Sequence, residues 1–157
     1  MDHQLQAEAQ AAFDGLRLPR RLTLDSLIAH VELVRGRRMK IIETSKLSGK
    51  KICGLWIPRQ DVDIVYHSLT RGRLHRQQMI LHEISHMILR HDEMREATWQ
   101  GINVFQEISG EVVDKALARG DFRSDLEATA EHLADLLAAE IRAGTTQEIY
   151  GYGAFFE

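Results

Sequence analysis

Apolar residues recur at helical spacing toward both ends of the chain and gather into short strand-like runs between them. Asp2 to Phe13 reads as a short amphipathic helix that Gly15 ends. Leu24, Leu27, Ile28, Val31 and Val34 form the apolar stripe of a second helix, capped by Thr23 or Asp25 and broken by Gly36. The period then shortens. Met39 to Glu43, Ile52 to Ile57 and Val62 to His67 read as strands, separated by the turn-prone stretches Ser48-Gly49-Lys50-Lys51 and Pro58-Arg59-Gln60-Asp61. Three strands with short links predict an antiparallel meander.

Helical spacing returns from about Arg71 to Arg90, where Leu81, Ile84, Ile88 and Leu89 are available to a core. Asp92 to Gln106 reads as loop with some helix, and Gly110 to Arg119 as a helix that Gly120 stops. Asp125 to Ala143 is the clearest helix of the chain, rich in Ala and Leu, with Gly144 as its expected end. Tyr150-Gly151-Tyr152-Gly153-Ala154-Phe155-Phe156 follows as an aromatic, glycine-punctuated tail. The order predicts an α+β protein: a small antiparallel three-stranded sheet packed with the 71–90 helix and further helices. It divides into an N-terminal helical extension (1–21), one domain (22–143) and the tail (144–157).

Composition narrows the class. A chain of 157 residues fits one core, and its 44% hydrophobic and 27% charged residues are those of an ordinary globular protein. No apolar run approaches the ~20 residues of a membrane span. Met1 to Gln10 lacks the basic-then-apolar layout of a secretory signal. The single cysteine, Cys53, excludes an internal disulfide framework, suits a reducing cytoplasm, and reads as a small residue buried in a strand. The net charge of −3 is unevenly spread. Leu16 to Lys51 carries ten Lys/Arg against three Asp/Glu, whereas Asp92 to Glu157 carries five against fourteen. That asymmetry could steer a protein partner, but an acidic protein is a poor candidate for direct nucleic-acid binding. A helix pair over residues 22–42 would be the one DNA-binding alternative, and the strand pattern from Met39 to Glu43 speaks against it.

Candidate chemistry sits in the 71–90 helix. His82-Glu83-Ile84-Ser85-His86 is an H-E-x-x-H signature. Residues four apart lie one turn above each other, so His82 and His86 can aim two imidazoles at one point, as the first two ligands of a zinc ion. Glu83 beside them is placed to take a proton from a zinc-bound water. A solvated helix face is the bland alternative. The flanking Ile80, Leu81, Ile84, Met87 and Ile88 argue instead for a mostly buried helix, where His and Glu need partners.

A catalytic zinc takes three protein ligands and keeps one position open. His91 lies about 140° from His86 around a continuous helix and so points away. Asp92 would need a glycine where Leu89 stands. Glu148, in Gly144-Thr145-Thr146-Gln147-Glu148-Ile149-Tyr150-Gly151, partly resembles the GTxxDxxYG motif of secreted aspartate-zinc peptidases, with Glu for Asp and one residue fewer. The missing signal and disulfides argue against that family. Glu127 lies in Glu127-Ala128-Thr129-Ala130-Glu131-His132-Leu133-Ala134, where Ala130 and Ala134 allow a close helix approach. Glu131, one turn later, is the competing ligand or a group that orients a ligand.

The His82-Glu83-x-x-His86 helix after a small sheet, with a later E-x-x-A-x-x-[FL]-A helix, resembles the ImmA/IrrE family of bacterial and phage zinc metallopeptidases. Cys53-Gly54-Leu55-Trp56-Ile57 and Asp63-Ile64-Val65-Tyr66 stand where that family places its strands, and the resemblance covers about residues 25 to 141. It departs from the family at Ser85, where glycine is common, at Leu133, where Phe is common, and at Leu136-Leu137-Ala138-Ala139, where a Leu-Leu-x-Pro ending is common. Glu127 and Glu131 both remain open as the third ligand. The resemblance implies a zincin-like fold, zinc held by His82, His86 and Glu127, and Glu83 as general base. It also implies a helix-turn-helix (XRE-type) repressor as substrate or partner, and hence control of mobile-element or stress genes. Tyr66, His67 and His75 are candidates for stabilising the oxyanion. The competing reading is a non-catalytic module of the same fold that controls a repressor by binding it.

Overall fold

The computed structural model describes residues 3–50, 52–91, 111, 113–114 and 124–154, with side chains of the last segment described to Thr145. The expected loop over Asp92 to Gln106 and most of the expected 110–119 helix lie outside these residues, as do Phe155 and Phe156 of the tail. Helix α1 spans His3–Gly15 and helix α2 Leu24–Arg35. Strand β1 (Arg38–Thr44) leads through a 3₁₀ turn (Ser45–Leu47) to β2 (Gly54–Pro58) and β3 (Val62–Ser68). The signature helix α3 is Arg73–Ile88, and the long helix α4 is Ser124–Ala154. No helix among the described residues is long and apolar enough to cross a membrane.

Local chemistry sets these bounds. Thr23 caps α2 through a reciprocal box, its hydroxyl accepting from the Ser26 amide at 3.0 Å while the Ser26 hydroxyl accepts from the Thr23 amide at 2.9 Å. Gly36 ends the same helix at φ 64°, a left-handed conformation that glycine adopts without a Cβ clash. The chain then enters β1, so α2 has no partner helix over 22–42 and the helix-pair alternative falls.

The sheet corrects the expected antiparallel meander. Its order is β1-β3-β2, with β3 antiparallel to β2 and parallel to β1. Segment 45–53, which contains the 3₁₀ turn, carries the chain past the site of β3. A short hairpin, closed by Arg59 N–H to Val62 O at 2.8 Å, then brings β3 back between the other two. Burial explains the order. In β3, Asp63 to His67 are all buried, whereas β1 exposes Arg38, Lys40 and Glu43, the charged pattern of an edge strand. β2 carries Gly54 and Pro58 at its ends, residues suited to an edge.

Two apolar layers cover the sheet. On one face Trp56 and Val65 join Leu27, Val31, Leu81, Ile84, Met87, Leu133, Leu137 and Ala9 in the main core. On the other, Leu55, Ile57, Ile64 and Tyr66 pack with Leu47 and Val113. The period-2 alternation of strands thus assigns Trp56 and Val65 to the helices and their neighbours to the opposite side.

Gly144 does not stop α4, which continues to Ala154. A Cβ at Gly144 would lie 3.0 Å from the Arg21 Cα, so this buried glycine marks where α4 crosses the chain entering α2. Its role is close approach, not termination. Cys53 also departs from expectation: it is exposed and precedes β2.

Candidate metal centre

Helices α3 and α4 meet along small and apolar residues, with Ala130 and Ala134 both fully buried. That close approach places α4 carboxylates opposite α3 imidazoles. Glu127 lies one turn before Glu131 on α4, as His82 lies one turn before His86 on α3. The His82 Nε2 is 2.6 Å from Glu127 Oε2, and the His86 Nε2 is 3.2 Å from Glu127 Oε1. The two Nε2 atoms lie 3.2 Å apart, with the rings edge-on at 85°. His82, His86 and Glu127 therefore form a group that could hold a metal ion.

The fit can be tested against ligand geometry. Bonds of ~2.0–2.1 Å in a tetrahedral shell put neighbouring donor atoms about 3.3–3.4 Å apart. Two separations here, both 3.2 Å, come within about 0.2 Å of that length. The 2.6 Å His82 contact is made by the other carboxylate oxygen of Glu127, Oε2, and has the length of a charge-assisted hydrogen bond. Two imidazoles with one carboxylate are also the donor set of a common catalytic zinc type.

Both imidazoles are held from behind. Glu131 Oε2 lies 2.9 Å from His82 Nδ1, and His91 Nδ1 lies 2.7 Å from His86 Nδ1. With Nδ1 so engaged, each Nε2 faces Glu127. The two α4 glutamates that the sequence left open thus take different positions: Glu127 faces the Nε2 atoms and Glu131 the far nitrogen of one ring. Gln78 ties the helices further, donating to Glu131 Oε1 at 3.3 Å and to Asp135 Oδ1 at 3.1 Å.

Charge follows from this geometry. Burial opposes a charged His82, but the hydrogen bonds it donates to Glu127 and Glu131 outweigh it and raise the imidazole to about 10. Burial would raise Glu127; its bonds to His82 and His86 instead hold it far below the usual carboxylate range. Glu131 is lowered chiefly by its bond to His82.

A cavity of about 290 Å³ opens beside the centre, lined in part by Ile52, Gly54, Met79, His82, Glu83 and Glu127. Glu83 is 4% exposed and lies against Gly54, where a Cβ would come within 3.1 Å of its Oε1. The strand thus approaches the helix most closely where its residue has no side chain. Of the three oxyanion candidates, His75 lines this cavity, with its Nδ1 2.9 Å from Thr70 Oγ1. Tyr66 packs on the opposite face of the sheet, where burial raises its pKa despite Arg59 nearby. His67 is buried in β3, its Nδ1 2.9 Å from the Ser68 carbonyl. Cys53 lines the cavity as well.

Of the remaining third-ligand candidates, Asp92 lies outside the described residues, as does the side chain of Glu148. His91 is not a ligand in this arrangement, yet neither does it point away. Helix α3 ends at Ile88 and Arg90 takes φ 60°, which folds His91 back beneath His86. A left-handed arginine leaves no mark in the sequence, so spacing alone could not find this contact. Comparison with protein-family models, with curated proteins and with solved structures finds no match to this chain.

Proposed function

We propose that this chain is a zinc metallopeptidase of the ImmA/IrrE type, with a zincin-like fold, that hydrolyses a peptide bond in a helix-turn-helix (XRE-type) repressor in the cytoplasm. The observation that carries the reading is the convergence of two Nε2 atoms and one carboxylate beside a buried glutamate and a cavity. His82, His86 and Glu127 would hold the ion. A zinc ion held by such a set acidifies a bound water and polarises a scissile carbonyl.

The chain's own groups supply the rest. Glu83, in the cavity wall one residue from His82, is the general base: it accepts the proton of the attacking water and passes it to the leaving amine nitrogen. Glu131 holds His82 through Nδ1, so that the ring does not turn. His75 reaches the same cavity and is held by Thr70, which supports it over Tyr66 and His67 as a donor to the developing oxyanion. β2 is an edge strand whose first residue lines the cavity, and among the described residues nothing pairs with its outer side. An extended peptide could add there by strand pairing.

The test is incubation of the zinc-loaded protein with a purified helix-turn-helix (XRE-type) repressor, taken from the neighbouring gene where that gene encodes one, with products read by mass spectrometry. Wild type is expected to cut at a defined bond. Glu83→Gln is expected to keep its zinc and lose about a hundredfold to ten-thousandfold in rate. If repressor inactivation in cells survives Glu83→Gln, hydrolysis is not the function and control by binding takes its place.

A further inference from the structure

We infer that His91 is a positioning residue of the metal centre: it holds the His86 imidazole in the tautomer and orientation that turn Nε2 toward Glu127. The inference rests on the metal reading above and deepens it, because it names what fixes the second histidine.

Both rings are buried, His86 at 1% and His91 at 5% exposure. Their Nδ1 atoms lie 2.7 Å apart, so one must donate a proton and the other accept it. His86 has only one other ring nitrogen, and that Nε2 lies 3.2 Å from both Glu127 Oε1 and His82 Nε2. If Nε2 gives its lone pair to an ion, the ring proton must sit on Nδ1, and His91 Nδ1 is the acceptor beside it. The His91 proton then sits on its own Nε2. Removing His91 leaves a buried N–H without that acceptor and frees the ring to turn.

The backbone supports the same role. On an uninterrupted helix position 91 would lie about 140° from position 86. Arg90 instead adopts φ 60°, which disfavours any residue with a Cβ, and the His91 N–H bonds to the His86 carbonyl at 3.0 Å. The turn therefore ties residue 91 to residue 86 twice, by main chain and by ring. His82 is backed by the carboxylate of Glu131, His86 by an imidazole. The two ligand rings thus have chemically different supports.

The experiment is zinc affinity by chelator competition on the full chain. His91→Leu should bind zinc about tenfold to a hundredfold more weakly than wild type. His91→Asn, whose side-chain oxygen can accept from His86, should return to within about threefold of wild type. Arg90→Val and Arg90→Gly remove the same side chain, but valine resists positive φ and glycine does not. The valine variant should weaken zinc binding as His91→Leu does, and the glycine variant should not. This pair keeps the test valid if His91→Leu fails to fold. Nitrogen-detected histidine spectra of the zinc form should show a protected His86 Nδ1 proton in wild type and His91→Asn, and an unprotected one in His91→Leu. Zinc affinity of His91→Leu within about twofold of wild type, or equal weakening by Arg90→Val and Arg90→Gly, overturns the inference. Loss of zinc in His82→Ala beside retention in His91→Leu overturns it alone. A wild type that binds no zinc overturns the metal reading with it.

Discussion

Two charged clusters lie on the same side of the sheet, one buried and one half-buried, and they are built in opposite ways. At Asp63 a single carboxylate, 1% exposed, takes two hydrogen bonds from Arg35 at 2.6 and 3.0 Å and one from Trp56 Nε1 at 3.0 Å, with Arg37 Nε at 3.4 Å. Arg35 also stacks over the Trp56 ring at 5.0 Å. Donors surround one acceptor. At His82 and His86, two ring nitrogens and a carboxylate point at one another, backed by further groups and fronted by a cavity. Both carry charge taken at least partly out of water. What separates them is direction: the first cluster satisfies an anion, whereas the second turns two imidazoles and a carboxylate on a point that a cation could take in place of the His82 proton. Burial of polar groups is therefore a poor guide to function until the direction of their lone pairs is known.

The sharpest way to break the comparison is to remove one member of each cluster. Asp63→Ala leaves two partly buried guanidiniums and an indole N–H facing each other, and should cost about 3–5 kcal/mol in urea unfolding while leaving zinc stoichiometry unchanged in the folded fraction. His82→Ala should do the reverse. It should abolish stoichiometric zinc, yet cost the chelated protein less than Asp63→Ala does, about 1.5–3 kcal/mol, because Glu127 and Glu131 can turn to solvent. If Asp63→Ala strips zinc from folded protein, the two clusters are one unit and the distinction fails.

Protons provide the next test. In chelated protein the raised imidazole of His82 stabilises the fold fully below its ordinary value of 6.5, and that contribution drains away as the pH climbs through about 10. The depressed carboxylate of Glu127 contributes fully above its ordinary 4.5 and is lost on acidification. Both contributions are whole only between those two ordinary values. Glu127→Gln should therefore destabilise the chelated protein by about 1.5–3 kcal/mol inside that window and progressively less toward pH 10. A difference that stays flat across this range would show that no charged pair joins the helices.

How much of this was legible in the sequence depends on the distance over which each feature is decided. The α2 helix, with its Thr23 cap and Gly36 stop, is decided locally, and so is the helix bearing the signature. So too is the face alternation that sends Trp56 one way and Tyr66 the other. Strand order is not local. The same three runs fit a meander or the observed β1-β3-β2 sheet, and the choice turns on β3 being buried along most of its length. Within the site, the His82–His86 pair follows from helical period, and Glu127 from the small residues that let α4 approach. The roles of Glu127 and Glu131 could not be divided from spacing, because both lie on one helix face and only the nitrogen each meets tells them apart. Gly144 misled for a related reason: a glycine that ends a helix and one that admits a crossing chain look alike in sequence.

The smallest effect comes from a group that touches neither cluster's charges directly. Gly54 lies where β2 meets α3, and an alanine Cβ there would stand 3.1 Å from Glu83 Oε1 and 3.2 Å from its Cγ. Both contacts are with a side chain that can give by a few tenths of an ångström, so Gly54→Ala should fold. The displacement falls on the carboxylate proposed as general base, while the imidazoles and Glu127 stay in place. Gly54→Ala should consequently lower kcat/KM about tenfold with zinc affinity unchanged. Gly15→Ala, at the end of α1 where an added Cβ meets nothing within 4 Å, should leave turnover as it is. If both alanines are silent, the position of Glu83 does not limit the reaction. If Gly54→Ala instead loosens zinc, the strand supports the metal centre as well as the base, and the boundary between holding the ion and moving the proton must be redrawn through β2.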